Sequence, residues 1–362
     1  MTERGGTRRR IILDTDPGID DAIAFLYLAA QPDAEIVAVG SVHGNVSAAL
    51  AADNALRLLD TIGRTDVPVA VGAHRPLAQP LHVSDTVHGR DGLGGVAGPP
   101  SPRRPVAESA AEQLVRLARR HPGELSLLAL GPLTNVALGF LLEPELPRLL
   151  REVVWMGGAL DVAGNITPHA EANAWHDPEA ADLVLGAGFD LTMIPLDVTL
   201  QMWADEPWWA SVARGGHPWA RFAAEVSAHY VDFYSPHMEE LRGGRGCLLH
   251  DPLAAAALLD PALVSCVEHA VEVELTGART RGATLADQRG YPSSDSSGGR
   301  PRVRVATEVD ATEAMARFHR ALSAGEAASA TGNGNATGNG NATKNGSAIR
   351  NGSATAEAGA TR

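Results

Sequence analysis

The sequence Asp14-Thr-Asp-Pro-Gly-Ile-Asp-Asp21 directly follows the apolar run Ile11-Ile12-Leu13. Such a run is typical of a buried β-strand, and helical periodicity begins after it. Pro17 and Gly18 lie between the two and predict a sharp turn, because proline fixes φ and glycine adopts conformations closed to other residues. The turn should fold the carboxylates of this segment back toward one another at the end of the first strand.

The same alternation of strand and helix continues to about residue 200. Apolar runs predict buried strands at residues 10–13, 35–40, 67–71, 125–130, 153–156 and 191–195. Helical periodicity predicts helices at residues 20–30, 48–62, 135–142 and 178–186. Strands that alternate with helices form parallel sheets covered on both faces. We therefore expect an α/β fold with a mostly parallel, doubly wound sheet and helices on both faces.

The remaining chain predicts an extension and a tail. Residues 205–260 are typical of helices, and residues 271–275 and 303–307 of further strands, which gives one domain (10–323) with a helical C-terminal extension. An N-terminal arm (1–9) precedes it. From about residue 325 the composition is dominated by Gly, Asn, Ala, Ser and Thr, too polar to form a core, so the tail (324–362) is predicted to be disordered. The polar stretch 293–299 predicts a loop.

Composition excludes several classes of protein. The chain has 362 residues, 44% of them hydrophobic, and a formal net charge of -13, which argues against a nucleic-acid partner. No apolar run reaches the length that spans a membrane, and none follows the N-terminal arginines as in a signal peptide. Two cysteines, Cys247 and Cys266, cannot form a disulfide framework. A cytoplasmic enzyme without a membrane partner is the expectation.

The acidic turn carries the strongest chemical signal. Four carboxylates fall within the eight residues Asp14–Asp21. Close carboxylates repel by about 4 kcal/mol per pair at an effective dielectric near 20. A hard dication removes that cost, and Ca²⁺ prefers six to eight oxygen ligands. The pattern therefore predicts a divalent-cation site.

Other interpretations of the acids exist. Asp20 alone would first be read as a helix cap, although four acids around a Pro-Gly turn exceed what capping needs. A helix–loop–helix calcium loop fails, because its bidentate glutamate would fall on Phe25. Asp14-x-Asp16 has the spacing of a haloacid-dehalogenase-like phosphohydrolase, but the Pro-Gly that follows differs from the usual continuation. Such an enzyme also needs a catalytic lysine, and the single lysine, Lys344, lies in the tail.

Taken together, the motifs resemble a known family. Asp14-Thr-Asp-Pro-Gly-Ile-Asp-Asp-Ala22 is similar to the N-terminal signature of the inosine-uridine-type nucleoside hydrolases. Further blocks follow in the family's order: Val42-His-Gly-Asn45, Gly131-Pro-Leu-Thr-Asn135, Met156-Gly-Gly158, Asn165-Ile-Thr-Pro-His-Ala-Glu171-Ala-Asn173 and His250-Asp-Pro252. The resemblance covers roughly residues 10–320, and the ordered set of blocks is highly specific.

The resemblance implies hydrolysis of the N-glycosidic bond of ribonucleosides at a Ca²⁺ site. It implies that Asp16, Asp21, Asp251 and the Leu130 carbonyl hold the ion, and that Asp16 also takes a proton from the water bound to it. Substrate contacts are implied for Asp20, Asn45, His88, Met156, Asn165, Glu171 and Asn173. We expect Asp14 to orient the other acids. The family further suggests a salvage role and a homodimer or homotetramer.

Two histidine positions have a second interpretation. His250-Asp-Pro252 is an ordinary helix start by itself, but its place in the family's order makes His250 the candidate general acid for the departing base. His88 lies in a glycine-rich loop, where a histidine is more often merely solvated. Asp177-Pro178 has the same helix-start pattern, and we assign it capping alone. A non-catalytic nucleoside or ribose binder with the same pocket is the remaining alternative.

Six aromatic residues crowd the helical extension. Most should belong to the core, and one or two could stack on the nucleobase. The set is Trp203, Trp208, Trp209, Trp219, Tyr230 and Tyr234.

Overall fold

The computed structural model describes residues 8–289 and 299–324. Nearly all of the predicted arm (1–9), polar loop (293–299) and tail (324–362) therefore lies outside the described residues. The strands are β1 (Arg9–Thr15), β2 (Ala34–Ser41), β3 (Val69–Val71), β4 (Leu125–Ala129), β5 (Glu152–Met156), β6 (Leu191–Ile194), β7 (Trp203–Asp205), β8 (Gly246–Leu248), β9 (Val264–His269), β10 (Val271–Val273), β11 (Thr284–Ala286) and β12 (Val303–Val309).

Helices follow most of these strands. They are α1 (Ile19–Ala29), α2 (Ala48–Thr61), α3 (Asp85–His88), α4 (Ala110–Arg120), α5 (Thr134–Leu142), α6 (Leu146–Leu149), α7 (Ala172–His176), α8 (Pro178–Leu185), α9 (Leu196–Thr199), α10 (Glu206–Ala213), α11 (Pro218–Arg242), α12 (His250–Leu259) and α13 (Ala311–Ala324). A 3₁₀ helix spans Pro261–Leu263.

Eight strands form the central sheet in the order β3-β2-β1-β4-β5-β6-β12-β9. All neighbours pair in parallel except β12 and β9, which pair antiparallel. The predicted mostly parallel sheet is confirmed. The strand order reverses between β1 and β4, and ligands of open α/β sheets bind outside the carboxyl ends of strands at such a point. The fold thus directs attention to the residues that follow β1, β2 and β4.

Helices cover both faces of the sheet. One apolar cluster includes Phe25 of α1, Leu56 of α2 and Phe318 of α13, and the other includes Leu114 of α4 and Val184 of α8. Helix α1 is buried over nearly its whole surface because α11, α12 and α13 pack outside it. After Asp20 and Asp21 of its first turn, its sequence is accordingly apolar all round, as expected for an internal helix. The helical extension therefore forms the outer wall beside the acidic turn.

Several elements differ from the sequence-based expectation. The strand predicted at residues 271–275 is β10, which pairs with β11 in a separate two-stranded sheet. The edge strand β9 was not predicted, because four of its six residues are exposed and it shows no apolar alternation. The pair β7–β8 interrupts the region predicted as helical. No helix in the described ranges is both long and apolar enough to cross a membrane.

Candidate active site

A pocket with about 320 Å³ of space between atoms, partly open to solvent, lies at the carboxyl edge of the sheet. Its wall comes from loops that are far apart in sequence. The lining residues are Asp20, Asn45, His88, Leu130, Met156, Asn165, Glu171, Ala172, Asn173, Tyr230, His250 and Asp251. All seven residues to which the sequence assigned substrate contacts are among them.

The register of the sheet brings three of these loops together. Leu130 N donates to the Asp14 carbonyl at 2.8 Å, and Val42 N donates to the Thr15 carbonyl at 3.0 Å. These bonds extend the parallel ladders on both sides of β1 past the end of the strands. The backbone at Asn45, at the acidic turn and at Leu130 is therefore held side by side.

Hydrogen bonds between residues of the acidic turn hold it in shape. Asp21 reaches back from the first turn of α1, and its Oδ2 accepts a hydrogen bond of 2.8 Å from Gly18 N. Its Oδ1 accepts from the Thr15 hydroxyl. Gly18 has no room for a side chain, since a Cβ there would lie 2.6 Å from His88 Nδ1 and 2.7 Å from Asn45 Nδ2. The capping that an isolated Asp20 would suggest is thus made by Asp21, and Asp20 lines the pocket.

Three carboxylates converge below the pocket. Asp20, Asp21 and Asp251 each offer an oxygen, and these oxygens lie within 4.8 Å of one another. Asp251 comes from the first turn of α12, far along the chain. Burial and the neighbouring charges of Asp20 and Asp21 raise the pKa of Asp251 well above its usual range. Like charges this close and this dry require either protons or a cation.

Asp16 lies next to this group without belonging to it. Its Oδ2 accepts a hydrogen bond of 2.7 Å from Asn45 N. Its Oδ1 is buried and has no hydrogen-bond partner among the described residues. Burial and the charge of Asp21 raise the pKa of Asp16 well above its ordinary value. An unpaired buried carboxylate oxygen is costly, so its presence points to a ligand.

The side chains on the far wall are held by backbone groups. Glu171 caps α7, and its Oε2 accepts from Gly158 N at 2.7 Å. Asn173 Nδ2 donates to the Leu130 carbonyl at 2.8 Å and to the Met156 carbonyl at 3.0 Å. Asn165 Oδ1 accepts from Ala172 N at 2.9 Å. These bonds fix the rotamers and leave Asn165 Nδ2 and Asn173 Oδ1 for a ligand, while both oxygens of Glu171 already accept backbone N–H groups.

Asp14 lies behind the pocket and does not line it. Its Oδ1 accepts a hydrogen bond of 2.7 Å from Asn135 Nδ2, which also donates to the Ser41 carbonyl at 2.8 Å. Burial raises the pKa of Asp14 to about 7. Asn135 therefore ties β1, β2 and the start of α5 together, and the sequence analysis did not single it out.

Both ring nitrogens of His250 are engaged. Nδ1 lies 2.8 Å from the Thr199 hydroxyl, and Nε2 lies 3.0 Å from the Tyr234 hydroxyl. Burial lowers the pKa of His250 to about 4, so the ring is neutral at physiological pH. His250 thus lines the pocket as expected, and the Tyr234 hydroxyl lies at its Nε2.

His88 is buried rather than solvated. Its Nδ1 accepts a hydrogen bond of 3.2 Å from Ile19 N, and its ring packs against Tyr230 with 5.2 Å between centroids. Burial lowers the pKa of His88 to about 3. In a neutral imidazole only one nitrogen carries hydrogen, so the bond from Ile19 makes Nε2–H the donor. His88 therefore brings a hydrogen-bond donor of fixed position to the pocket wall.

Comparison with known proteins places this site in a family. The family model of the inosine-uridine preferring nucleoside hydrolases matches residues 11–316. The chain belongs to this family. It is 38% identical over 312 residues to "Probable uridine nucleosidase 2" of Arabidopsis thaliana, which covers 84% of this chain and 95% of that protein. It is 39% identical over 303 residues to "Pyrimidine-specific ribonucleoside hydrolase RihA" of Enterobacter sp. (strain 638), covering 83% and 93%.

Solved structures agree with this assignment. The fold matches "Plant nucleoside hydrolase - PpNRh1 enzyme" with a TM-score of 0.82 and 32% identity, over 87% of this chain and 99% of that one. It matches a purine-preferring ribonucleoside hydrolase from Gardnerella vaginalis with a TM-score of 0.80 and 32% identity, over 89% and 100%. The chain is therefore a nucleoside hydrolase, a glycosidase that acts on ribonucleosides. The two alternative interpretations, a haloacid-dehalogenase-like phosphohydrolase and a non-catalytic nucleoside or ribose binder, therefore lose their support.

Sequence analysis of this nucleoside hydrolase left two wall residues unassigned. Ala172 lies between two assigned residues and has no polar side chain to signal it. Tyr230 is one of six aromatic candidates and lies on α11, where it contacts Tyr234 one turn later with 4.9 Å between ring centroids. The sequence signal that could have identified Tyr230 was its spacing of four residues from Tyr234, which places both rings on one face of a helix.

Gly44 provides a test of how Asp16 is positioned. A Cβ on Gly44 would lie 1.9 Å from Asp16 Oδ2, so Gly44→Ala must displace the carboxylate or the loop. Since a shift of about 1 Å can cost 100-fold in rate, we expect kcat for a ribonucleoside to fall by about that factor. Gly244→Ala is the control, because its backbone is not in the left-handed region and a Cβ there meets no atom of the described residues within 4 Å. A folded Gly44→Ala variant with wild-type kcat would show that this packing does not position Asp16.

Proposed function

We propose that this nucleoside hydrolase cleaves uridine in preference to other ribonucleosides, with Asp16 as general base at a bound Ca²⁺ ion. The observation that carries the proposal is the group of buried carboxylates beside an unpaired Asp16 oxygen, at the floor of the pocket. Uridine is the first choice because relatives that are 38–39% identical are named uridine nucleosidase or pyrimidine-specific hydrolase.

The residues present fit a hard divalent cation. We assign its ligands to Asp16, Asp21, Asp251 and the carbonyl of Leu130, which are all oxygen donors, as Ca²⁺ prefers. The Leu130 carbonyl accepts one hydrogen bond from Asn173 and keeps a second lone pair. A cation also explains how several carboxylates can be buried together, since it offsets their mutual repulsion.

Asp16 has the properties of a base. When bound, the ion supplies Lewis acidity, which lowers the pKa of nearby water. The Asp16 carboxylate then takes the proton from the attacking water. Its Oδ1 is the oxygen with a free acceptor position, while Asn45 N holds Oδ2 in place. Attack at the anomeric carbon passes through an oxocarbenium-like state, and the negative charges of the pocket floor stabilise it.

The polar wall supplies the grip on ribose. Asp20 and Asn45 line the pocket on the side of the acidic turn, and Asn165, Glu171 and Asn173 line the far wall. We assign the sugar hydroxyls to these side chains, because hydroxyl groups satisfy both donors and acceptors there. Met156 lines the same wall and contributes an apolar contact.

The departing nucleobase is assigned to the side of the pocket that His88 and His250 line. The Nε2–H group of His88 suits a carbonyl oxygen, which uracil offers. Delivery of a proton to the departing base is assigned to His250, which lines the pocket; because its ring is neutral at rest, it takes up that proton from solvent before passing it on. Tyr230, packed on His88, gives the base an aromatic neighbour.

Release of reducing sugar from a panel of ribonucleosides tests the function. We expect kcat/KM to be highest for uridine, with cytidine and inosine lower, in buffer with calcium. Chelation with EGTA should remove activity, and calcium added afterwards should restore it, because the buried acids repel each other without the ion. Magnesium in place of calcium serves as the control. No sugar release from any ribonucleoside, or full activity in EGTA, would contradict the proposal.

A further inference from the structure

A buried carboxylate outside the pocket binds more than its own helix. Asp177 lies between α7 and α8 and is fully buried. Its Oδ1 caps α8 by accepting from Ala180 N at 3.1 Å, as the sequence predicted. Its Oδ2 accepts from the Thr134 hydroxyl at 2.7 Å and from Leu77 N at 3.0 Å. A cap needs one oxygen, so the second oxygen serves another purpose.

The hydrogen bonds of Thr134 have a fixed direction. A hydroxyl group has one hydrogen, and the Thr134 hydroxyl gives it to Asp177. The 3.1 Å contact between Thr134 Oγ1 and His43 Nε2 therefore requires His43 to donate. His43 is fully buried, and burial lowers its pKa to about 4, so the ring is neutral and carries its hydrogen on Nε2. Its Nδ1 has no partner within the part of the chain that the structure describes.

The chain of bonds ends at the two loops that flank Asp16. His43 directly precedes Gly44 and Asn45, and Asn45 N donates to Asp16 Oδ2 at 2.7 Å. Thr134 follows Gly131, where a Cβ would lie 2.8 Å from Asp16 Oδ1. The bond between His43 and Thr134 thus joins the backbone on one side of the Asp16 carboxylate to the backbone on the other side.

We propose that Asp177, Thr134 and His43 form a positioning chain that holds the Asp16 carboxylate between its two loops. The inference rests on the proposed role of Asp16 as general base. Asp177 is the charged anchor, and hydrogen bonds to charged groups are stronger than neutral ones. Thr134 links Asp177 to His43 by hydrogen bonds, and His43 holds the loop that contains Asn45. None of the three touches the pocket, so they are positioning residues and not catalytic residues.

The direction of the bonds makes Asp177→Asn a revealing change. Both oxygens of Asp177 face donors, so either orientation of an asparagine amide would turn an NH₂ group toward an N–H or O–H group. If the NH₂ group faces Thr134, relief requires the hydroxyl to donate to His43 Nε2 instead. The histidine hydrogen then moves to Nδ1, where it has no acceptor among the described residues. Only this orientation reverses the chain; with the NH₂ group toward Ala180 N, the bond from Thr134 is kept and only the cap of α8 is lost.

The first experiment separates positioning from folding. Thr134→Val removes the hydroxyl and keeps the shape, and we expect kcat for uridine to fall about tenfold or more with KM within about threefold of wild type. Thr134→Ser keeps the hydroxyl and should restore most of kcat. Thr192→Val is the matched control: it removes a β6 hydroxyl that accepts a hydrogen bond from Arg304, and it should keep kcat. Wild-type kcat in folded Thr134→Val, or equal losses in the Val and Ser variants, would overturn the inference.

A second measurement does not depend on catalysis. The ¹⁵N spectrum of the full-length protein reports which ring nitrogen of each histidine carries hydrogen, and His43→Gln identifies the signals of His43. We expect Nε2–H in the wild type and, where the asparagine NH₂ group of Asp177→Asn faces Thr134, Nδ1–H in that variant. Nδ1–H in the wild type would overturn the positioning chain even if variants fail to fold. Activity retained by Asp16→Asn would instead refute the proposed function and leave the tautomer assigned to His43 unaffected.

Discussion

Asp16→Asn is expected to lower kcat for uridine by at least about 100-fold, the range in which a general base contributes. Asparagine keeps the size of the side chain and can still accept the hydrogen bond from Asn45 N, but it cannot take a proton from water. The protein should remain folded, because burial disfavours the charged form of Asp16, as the raised pKa of this carboxyl shows, and the asparagine is uncharged. Single-turnover kinetics on uridine measure the chemical step.

The control for this variant is Asp53→Asn, an exposed position on α2. It should have wild-type kcat and the same melting temperature as the parent. A folded Asp16→Asn variant with near-normal turnover would remove Asp16 from the proposed mechanism, whatever the fate of the metal site.

Removal of the ribose 2′-hydroxyl should have a larger effect. The pocket is lined by Asp20, Asn45 and Asn173, and a substrate without the hydroxyl leaves buried polar groups unpaired. Sites built to bind a hydroxyl reject analogues that lack it by about 10⁴-fold or more. We therefore expect kcat/KM for 2′-deoxyuridine to be at least about 1,000-fold below that for uridine.

A second pair of substrates removes the base as a variable. 5-Methyluridine and thymidine carry the same base and differ only at the 2′ position, so the same ratio should appear between them. Comparable kcat/KM values within either pair would contradict the proposed grip on ribose.

Part of the candidate site follows from order along the chain. Carboxyl ends of parallel strands meet at one edge, so the order of strands and loops was enough to group the acidic turn with Asn45 and Leu130. Asp251, Glu171 and Asn173 came from the resemblance, because nothing local distinguishes them from ordinary helix starts. The structure brings each of them to the pocket or its floor.

Other features depend on packing between distant segments. Tyr230 could not be chosen among the aromatics, since the face of α11 that meets the pocket is set by its contacts with α1. The second oxygen of Asp177 meets Thr134, which belongs to a different strand–helix unit. The tautomer of His88 follows from a backbone N–H of α1, and the group of three converging acids contains Asp20 in place of Asp16. Local sequence patterns do not indicate such contacts between segments that are distant in the chain.

The account depends above all on side chains from distant segments holding one divalent cation. A crystal grown with calcium and measured near the wavelength where calcium scatters anomalously tests this directly. The account predicts one strong anomalous peak about 2.3–2.6 Å from oxygens of Asp16, Asp21, Asp251 and the Leu130 carbonyl. A map with no peak there, and with the three carboxylates turned away from one another, would contradict it.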